Sequence, residues 1–554
     1  MKWHIQSKLR PSNLSELRGL LLANRQITDE EAFFKGGSPL NFSLEELGFD
    51  LRSLAKIKER LAKAKQHEEE IVVFGDYDAD GICATAVLWQ VLHQEGYKVW
   101  PFIPHRLKHG YGLSVKALED LLAKRPATSL IITVDNGIVA HKALSYLAKK
   151  KIDAIVTDHH QPDGKPIKAL AVFHSTQICG CSVAWFLARE ISADQRLLTE
   201  TLALAAIATV TDLMPLLDFN RSIVLYGLLI LRSTKQIGLR TLFDLVKINQ
   251  AKIDTYTLGF QIGPRLNAMG RLADGMDALR LLCTRDQAKA KSLADLLVQT
   301  NQDRQNLTFD LSNAAEEVVT SEADEALIFL SSPEYHEGII GLIAGKMTEK
   351  FNKPSIVISI GQEVSKASAR SLPGFNITEF IRSFQDDLLE MGGHPLAAGF
   401  AVATDKIELV KQKMQAKAKQ MLHGQSLEKT LEIDAVLPLE LLNLESKAMI
   451  DEFAPFGLAN QKPAFVVEGV KLKNYRLIGQ ASEHLKLFVS LGDQEFEVLA
   501  WGQAALLEKF ALGDQLDLAF TFDANYYQGR DRLQLICKDI RLLKKKSIKK
   551  SPDR

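Results

Sequence analysis

The stretch Ile71-Val72-Val73-Phe74-Gly75-Asp76-Tyr77-Asp78-Ala79-Asp80-Gly81 decides the fold of this chain. An apolar, β-branched run leads into a turn with alternating aspartates, which is typical of a buried strand followed by a helix. Two further runs have the same form: 130–134 is followed by Asp135, and 154–157 is followed by Asp158. In a parallel sheet these strand ends meet at one edge, where α/β proteins build their sites. The sequence therefore predicts a cluster of acidic side chains there.

Length and composition indicate several globular domains. The chain has 554 residues, of which 46% are hydrophobic and 25% charged, and its formal net charge is zero. This is more residues than a single hydrophobic core organises, so we expect several domains. Because the net charge is zero, any nucleic-acid-binding surface must be a local basic patch. No apolar stretch reaches the about 20 residues that a bilayer span requires, and the first residues lack the apolar core of a signal peptide. We expect a cytoplasmic protein with reduced cysteines and no membrane contact.

The hydrophobic periodicity predicts a multidomain α/β architecture. Helix-start signals lie at Asn13-Leu14-Ser15-Glu16 and Thr28-Asp29-Glu30-Glu31. Short alternating strands separated by Gly, Asp and Asn turns near the C-terminal end indicate a closed β-barrel such as the OB-fold. We expect a helical segment at 1–65, a parallel-sheet core at 66–220, a helical part with a long connector helix at 221–322, a second α/β domain at 323–427, the barrel at 428–541 and a basic, solubilising tail at 542–554.

The acidic turns carry the residue types of a metal site. The aspartates at 76–80 resemble a calcium loop, but an apolar helix follows and no ligating Glu appears at the required position. N-capping alone could explain one such turn, whereas Asp135 and Asp158-His159-His160 add possible ligands from two other strands. Mixed Asp and His ligation suits Mn²⁺, and carboxylates alone favour Mg²⁺ or Ca²⁺. More than four ligands indicate two cations about 3.5–4 Å apart, as in phosphoryl-transfer enzymes.

A further run, Leu204 to Thr211, also has the character of a strand, and Asp212 follows it. The sequence therefore predicts a fourth strand-end carboxylate at the same edge.

Four motifs, taken in order, resemble those of the DHH phosphoesterase superfamily. They are Asp76–Gly81, Asp135-Asn136-Gly137-Ile138, Asp158-His159-His160 and Thr209-Val210-Thr211-Asp212. Within the superfamily the chain is similar to the single-strand-specific 5′→3′ DNA exonucleases, through segments such as 263–268, 366–371 and 392–395. The resemblance covers roughly residues 45 to 540. It implies a DHH core, a second domain of the DHHA1 type and an OB-fold.

The resemblance also implies roles for individual residues. Asp135 would bridge two cations, Asp78 would bind one of them, and Asp80, His159 and Asp212 would bind the other. Asp76 would be either a further metal ligand or a hydrogen-bond acceptor that supports the ligands without binding a cation itself. Asp158 would orient the histidines, and His160 would approach the scissile phosphate. The implied substrate contacts are Arg106, Ser368 and Arg370 at the 5′-terminal phosphate, Arg265 and His394 at backbone phosphates, Asn267 as a further contact, and Tyr111 against a base.

The implied function is that of a Mn²⁺-dependent, or Mg²⁺-dependent, exonuclease. It would degrade single-stranded DNA from a 5′ end to 5′-mononucleotides during recombination and repair, as a monomer working with a helicase and a single-strand-binding protein. One alternative is another DHH phosphodiesterase acting on oligoribonucleotides or cyclic dinucleotides, which the barrel disfavours. A second is a non-catalytic DNA-binding scaffold, which the complete ligand set disfavours.

His336 has two open interpretations, a domain interface or a substrate contact. The turn at 525–530 would either hold DNA or be an exposed hairpin.

Overall fold

The computed structural model describes residues 1–110, 112–321, 325–423, 428–527 and 529–543. They form two compact units: Gly36–Leu427, and Met1–Lys35 together with Glu428–Arg554. The helical segment expected at 1–65 is therefore divided between the units. The other domain limits stay predictions. Within the described ranges, no helix combines the length and the apolar character that crossing a membrane requires.

The first elements are β1 (Lys2–Ile5), α1 (Leu14–Asn24), α2 (Glu30–Lys35) and α3 (Leu51–Gln66). Two of them, α1 and α2, begin where the capping signals predicted, whereas the strand β1 lies in a segment that was predicted to be helical. The side chain of Asn13 accepts a hydrogen bond from the Glu16 amide at 3.0 Å, and that of Asp29 accepts one from the Ala32 amide at 2.9 Å. Each bond satisfies an amide that the first helical turn leaves without a partner. Both predicted helix starts are confirmed.

Residues 70–174 form a five-stranded parallel sheet between helices. The elements are β2 (Glu70–Phe74), α4 (Ala79–Gln94), β3 (Val99–Phe102), α5 (Arg106–His109), α6 (Val115–Lys124), β4 (Thr128–Val134), α7 (His141–Lys149), β5 (Asp153–Asp158) and β6 (Ala171–His174). The strand order is β3-β2-β4-β5-β6, and every neighbouring pair is parallel. Ile71 and Val73 enter one hydrophobic core, and Val72 and Phe74 enter another. The three predicted strands are confirmed, with both faces covered as parallel sheets require.

Residues 180–321 are almost entirely helical. They comprise α8 (Gly180–Ile191), α9 (Gln195–Thr211), α10 (Asp218–Ser233), α11 (Ile237–Leu245), a π-helix (Thr257–Ile262), α12 (Gly263–Leu272), α13 (Gly275–Cys283) and α14 (Gln287–Ser321). Helix α14 confirms the predicted connector helix. The prediction of a strand at 204–211 is wrong, because this run is the second half of α9. An apolar run alone does not distinguish a buried strand from a buried helix, and the alanines within it favour the helix.

The second α/β domain contains β7 (Ile328–Ser332), α15 (Ile340–Phe351), β8 (Ser355–Ser359), β9 (Val364–Arg370), α16 (Ile377–Arg382), β10 (Glu390–His394), β11 (Ala397–Ala403) and α17 (Ile407–Leu422). Its strand order is β10-β11-β9-β8-β7, with only β7 and β8 parallel. The hairpin of β10 and β11 was not predicted, since Gly392, Gly393 and Pro395 are typical of a turn.

The other unit is built around a closed barrel. Its C-terminal elements are β12 (Thr430–Ile433), β13 (Ala435–Val436), α18 (Leu444–Asp451), β14 (Phe465–Ile478), β15 (His484–Leu491), β16 (Gln494–Ala500), β17 (Gln515–Tyr527) and β18 (Arg530–Leu542). The order β13-β14-β15-β16-β18-β17 closes through pairing of β14 with β17, which confirms the predicted barrel. Strand β1 pairs in parallel with β12, so the first residues of the chain extend this unit. Residues 544–554 of the predicted tail and Gln528 of the 525–530 turn lie outside the described ranges.

Candidate metal centre

The loop between β2 and α4 places three aspartates around the first turn of the helix. Asp78 is the N-cap of α4 and accepts a hydrogen bond from the Gly81 amide at 3.0 Å. Asp76 is buried; its Oδ1 accepts a bond from the Tyr77 amide at 2.8 Å, and its buried Oδ2 has no hydrogen-bond partner. A Cβ atom on Gly81 would lie 2.6 Å from the Asp76 backbone. The close packing of the loop on the helix therefore requires glycine at position 81.

Asp80 is held by the N-terminus of α8. Its two oxygens accept hydrogen bonds from the amides of Gly180, at 2.7 Å, and Cys181, at 2.6 Å. Amides at a helix N-terminus stabilise a carboxylate, because they lack partners within the helix and lie at its positive end. These bonds fix the orientation of the Asp80 carboxylate, although Gly180 is 100 residues away in the sequence.

Asp135 follows β4 directly and adopts a left-handed backbone conformation, with φ of +61°. Its Oδ1 is buried without a hydrogen-bond partner and lies 3.2 Å from Nε2 of His159. A left-handed conformation is unusual for a residue other than glycine, and such strain is concentrated at functional sites. Asp135 thus directs an unsatisfied carboxylate oxygen toward the histidine.

Asp158 ends β5 and uses its carboxylate to shape the turn that follows. Its Oδ2 accepts a hydrogen bond from the Ile138 amide at 2.9 Å, and its Oδ1 accepts bonds from the His159 amide at 2.7 Å and from Nδ1 of His160 at 2.8 Å. Burial opposes the charge, but the bond to His160 lowers the pKa of Asp158 overall. Burial also opposes the imidazolium, yet the bond to Asp158 raises the pKa of His160 to about 9. His160 is therefore positively charged at neutral pH.

His159 joins the carboxylates from different elements. Its Nε2 lies 3.7 Å from Oδ2 of Asp80 and 3.7 Å from Oδ2 of Asp212, the residue that caps the C-terminus of α9. Burial, together with the nearby His160, lowers the pKa of His159 to about 4. The ring is therefore neutral at physiological pH, which is the form that binds a metal ion.

The structure brings the predicted ligands together in overlapping groups. Their ligand atoms lie within 4.8 Å of one another in each of three sets: Asp76, Asp78 and Asp135; Asp80, His159 and Asp212; and Asp135, His159 and His160. Asp212 joins the site although its element is a helix rather than a strand.

The electrostatics of the carboxylates fit divalent cations. Burial, and then the charge of neighbouring aspartates, raises the pKa of Asp76 to about 8, of Asp80 to about 7 and of Asp212 to about 9, and raises that of Asp135 well above its usual value. So many buried carboxylates repel one another unless cations or protons neutralise them. Oxygen ligands with one imidazole suit Mn²⁺ or Mg²⁺, and the orphaned oxygens of Asp76 and Asp135 are available as ligands.

Several predicted substrate contacts lie at the start of α15. Nη1 of Arg370 donates a hydrogen bond to Oγ of Ser368 at 3.2 Å, and a Cβ atom on Gly341 would lie 2.9 Å from Nη2 of Arg370. Burial lowers the pKa of Arg370, and the charge of Arg106 lowers it further. Arg106 itself lies over the Tyr77 ring, 5.1 Å from its centre. Ser368, Arg370 and the start of α15 therefore lie together, and Arg106 is near enough for its charge to act on Arg370, which is the combination of groups that an anion site requires.

The remaining predicted contacts have different surroundings. Oδ1 of Asn267 accepts a hydrogen bond from the Ala79 amide at 2.8 Å and so supports the start of α4. Arg265 is half-buried on α12, and His394 is exposed on β10. Tyr111 lies outside the described residues. Nδ1 of His336 accepts a bond from the Gly338 amide at 3.0 Å.

Sequence reasoning missed Arg271. Its Nη1 donates to the Gly338 carbonyl at 3.0 Å, linking α12 to the second α/β domain. Burial, and then the charges of Arg106, Arg304 and Arg370, lower the pKa of Arg271 to about 10. Partly buried guanidinium groups whose charges act on one another are stabilised when an anion neutralises them. Nothing in the sequence around Arg271 indicated that the charges of Arg106 and Arg370 act on it.

Three family profiles match consecutive parts of the chain. They are described as "DHH family, N-terminal domain" at 70–209, "DHHA1 domain" at 318–420 and "RecJ OB domain" at 433–539. Together they cover the parallel sheet with the candidate metal ligands other than Asp212, the second α/β domain and most of the barrel.

Whole-chain comparisons give the same result. The single-stranded-DNA-specific exonuclease RecJ of Dickeya dadantii is 30% identical over 88% of this chain and 90% of its own length. RecJ of Bacillus subtilis is 32% identical over 89% of this chain, which spans 64% of that relative's length. The crystal structure of RecJ from Thermus thermophilus in complex with Mn²⁺ matches with a TM-score of 0.81 and 28% identity, over 98% of this chain and 80% of that one. The chain belongs to the RecJ family of single-stranded-DNA-specific exonucleases.

Proposed function

We propose that this chain hydrolyses single-stranded DNA from the 5′ end to 5′-mononucleotides, with two divalent cations, Mn²⁺ or Mg²⁺. The observation that carries the proposal is the convergence of ligand atoms from separate loops and helices to within 4.8 Å. Similarity to RecJ proteins, one of which has been solved with Mn²⁺, supports the cation and the substrate class. The closed barrel supports a polymeric substrate, since OB-folds bind single strands along a groove.

The ligand groups suggest how two cations would be held. Asp76, Asp78 and Asp135 would hold one, while Asp80, His159, Asp212 and the shared Asp135 would hold the other. Bound divalent cations neutralise the anionic phosphodiester and lower the pKa of a water ligand, which are the two requirements for hydrolysis. Asp76 has a buried oxygen without a partner, which favours a ligand role over a purely supporting one.

The residues around the cations would position the reacting phosphate. Asp158 holds the amide of His159 and the ring of His160, so it orients both histidines. The imidazolium of His160 would face the phosphate and balance negative charge that develops as the bond breaks. At the other end of the nucleotide, Arg106, Ser368 and Arg370 would bind a terminal phosphate, which explains why cleavage starts at a 5′ end.

The biological setting follows from the resemblance. We place the chain in DNA recombination and repair in the cytoplasm, as a monomer that degrades strands opened by a helicase and covered by a single-strand-binding protein.

The test uses a single-stranded oligonucleotide with a labelled 5′-terminal nucleotide. In Mn²⁺ the wild-type chain should release a labelled mononucleotide, and Asp135→Ala should reduce the rate at least about a thousandfold, since it removes the shared ligand. Asp163→Ala is the matched control, because Asp163 is in the same sheet domain, pairs with His141 and lies outside the ligand groups. Undiminished cleavage by Asp135→Ala, or faster hydrolysis of cyclic dinucleotides than of DNA, would refute the proposal.

A further inference from the structure

Two exposed aromatic side chains form a stacked pair at the first turn of the π-helix: Tyr256 directly precedes this helix and Phe260 lies within it. The exposed fractions of Tyr256 and Phe260 are 60% and 69%, and their ring centres are 4.9 Å apart with planes inclined by 22°. Rings of this size would bury about 150–250 Å² each if covered. Single exposed apolar residues are ordinary, but a stacked and exposed pair offers a flat, pre-formed surface.

The position of this pair connects it to the metal centre. The π-helix and the first residue of α12 pack on the last turn of α9: a Cβ atom on Gly259, in the π-helix, would lie 3.6 Å from Val210, and one on Gly263, which begins α12, would lie 2.2 Å from Thr211. Thr211 is followed directly by Asp212, a candidate metal ligand. The aromatic pair therefore lies on the element that flanks the reaction centre.

The guanidinium of Arg265 is bonded to the backbone next to Phe260. Arg265 donates from Nη1 to the carbonyl of Gln261, the residue that follows Phe260, while its buried Nε has no hydrogen-bond partner. Among the described residues, no carboxylate forms an ion pair with Arg265. Since an unpaired and partly buried guanidinium is costly, an anion such as a phosphate would stabilise it.

We infer that Tyr256 and Phe260 form a base-stacking platform for nucleotides of the single-stranded DNA beyond the scissile phosphate. Alternating aromatic and cationic groups bind single strands without sequence preference, because every base presents a π-face and every linkage a phosphate. A protein partner fits the surface less well, since two rings supply much less than the about 800 Å² that each side of a stable interface buries. This inference rests on the proposed function and adds the location of the downstream bases.

The first experiment measures DNA affinity in the Asp135→Ala background, so that the strand is not degraded. Adding Tyr256→Ala and Phe260→Ala should weaken binding of a 5′-phosphorylated oligothymidylate of about twelve nucleotides by about five- to a hundredfold in fluorescence anisotropy. Phe260→Trp should retain the affinity, whereas Phe260→Leu should lose part of it. The control is Phe309→Ala, an exposed aromatic on α14, which should leave the affinity unchanged.

The second experiment tests stacking directly with oligonucleotides that carry abasic sites downstream of the first nucleotide. The Asp135→Ala protein should bind the abasic strand more weakly than the intact strand. The protein that also carries Tyr256→Ala and Phe260→Ala should bind the two strands equally. If this protein keeps the full preference for intact bases, the platform is refuted. The platform alone is refuted if the wild-type chain degrades single strands but the ring substitutions leave DNA affinity unchanged. The proposed function is refuted as well if the wild-type chain neither binds nor cleaves single strands.

Discussion

Gly180 lies against Asp135 so closely that a Cβ atom at position 180 would be 2.5 Å from the carboxylate oxygen Oδ1. The same glycine donates its amide to Asp80 at 2.7 Å. One residue at the start of α8 thus positions carboxylates from both ligand groups.

Gly180→Ala should therefore weaken Mn²⁺ binding and exonuclease activity by about ten- to a hundredfold, the usual cost of disturbing groups that orient metal ligands. Isothermal titration with Mn²⁺ and initial rates on single-stranded DNA would measure both effects. Gly345→Ala is the control, since Gly345 is in helix α15 and has open space around its Cα. Equal Mn²⁺ affinity in the two variants would contradict the crowding argument.

Metal binding should stabilise the chain more strongly as pH rises. The raised pKa values of Asp76, Asp80 and Asp212, about 8, 7 and 9, mean that the metal-free folded chain keeps protons that the unfolded chain releases near pH 4. Between about pH 4 and 9 its free energy of unfolding therefore falls as pH rises, and divalent cations remove this penalty by replacing the protons. The increase in melting temperature on adding Mn²⁺ to chelator-treated protein should be larger at about pH 8.5 than at about pH 6. An increase independent of pH would count against the buried, protonated carboxylates.

Asp158→Asn should lower the pKa of His160 from about 9 toward its ordinary value, because the bond to Asp158 is what raises it. Histidine titration by NMR in the metal-free protein would follow the change. Activity should fall about ten- to a hundredfold, since the turn loses its charged acceptor. Asp163→Asn removes an exposed aspartate that pairs with His141 at 3.0 Å and should leave the titration of His160 unaltered. If both variants titrate alike, Asp158 does not set the charge of His160.

The strands of the catalytic sheet and their acidic ends were predictable, because the signals are local. Residues 71–81 contain a complete strand, turn and helix start, and the sequence placed aspartates at that helix start, where Asp78 is the N-cap of α4. The parallel arrangement followed from alternation with helices. The three strand ends could therefore be placed at one edge before any contact was known.

Asp212 shows where local reasoning fails. The apolar run before it does not distinguish a strand from a helix by its pattern, and the helix propensity of its alanines was the local signal that the strand prediction overlooked. Arg271 shows a second limit: its neighbours Arg106 and Arg370 are distant in sequence, and no pattern reports that guanidinium groups converge. The pairing of β1 with β12 is a third case, since parallel pairing between strands that are far apart in the sequence leaves no periodic signal.

Arg370→Ala should reduce the preference for a 5′-phosphate rather than abolish hydrolysis. A charge-assisted hydrogen bond contributes about 1.5–3 kcal/mol, so the ratio of cleavage rates for 5′-phosphorylated and 5′-hydroxyl strands should fall about ten- to a hundredfold. Arg382→Ala, at an exposed position of α16, is the control. A similar loss on both substrates would indicate that Arg370 supports the fold of the second domain instead of the strand end.

The attachment of residues 1–35 to the barrel unit depends on a partly buried ion pair. Nη1 of Arg25 lies 2.9 Å from Oδ1 of Asp434, whose other oxygen accepts the Ala464 amide at 3.1 Å. Asp434→Ala leaves the guanidinium without its charged partner and should lower the free energy of unfolding of this unit by about 3–5 kcal/mol. Glu468→Ala, which breaks the exposed pair with Arg10, should cost less than about 1 kcal/mol. Urea denaturation followed by tryptophan fluorescence would compare the two variants, since Trp3 and Trp501 lie in this unit. Equal denaturation midpoints for the two variants would show that Arg25 and Asp434 do not hold the N-terminal residues in place.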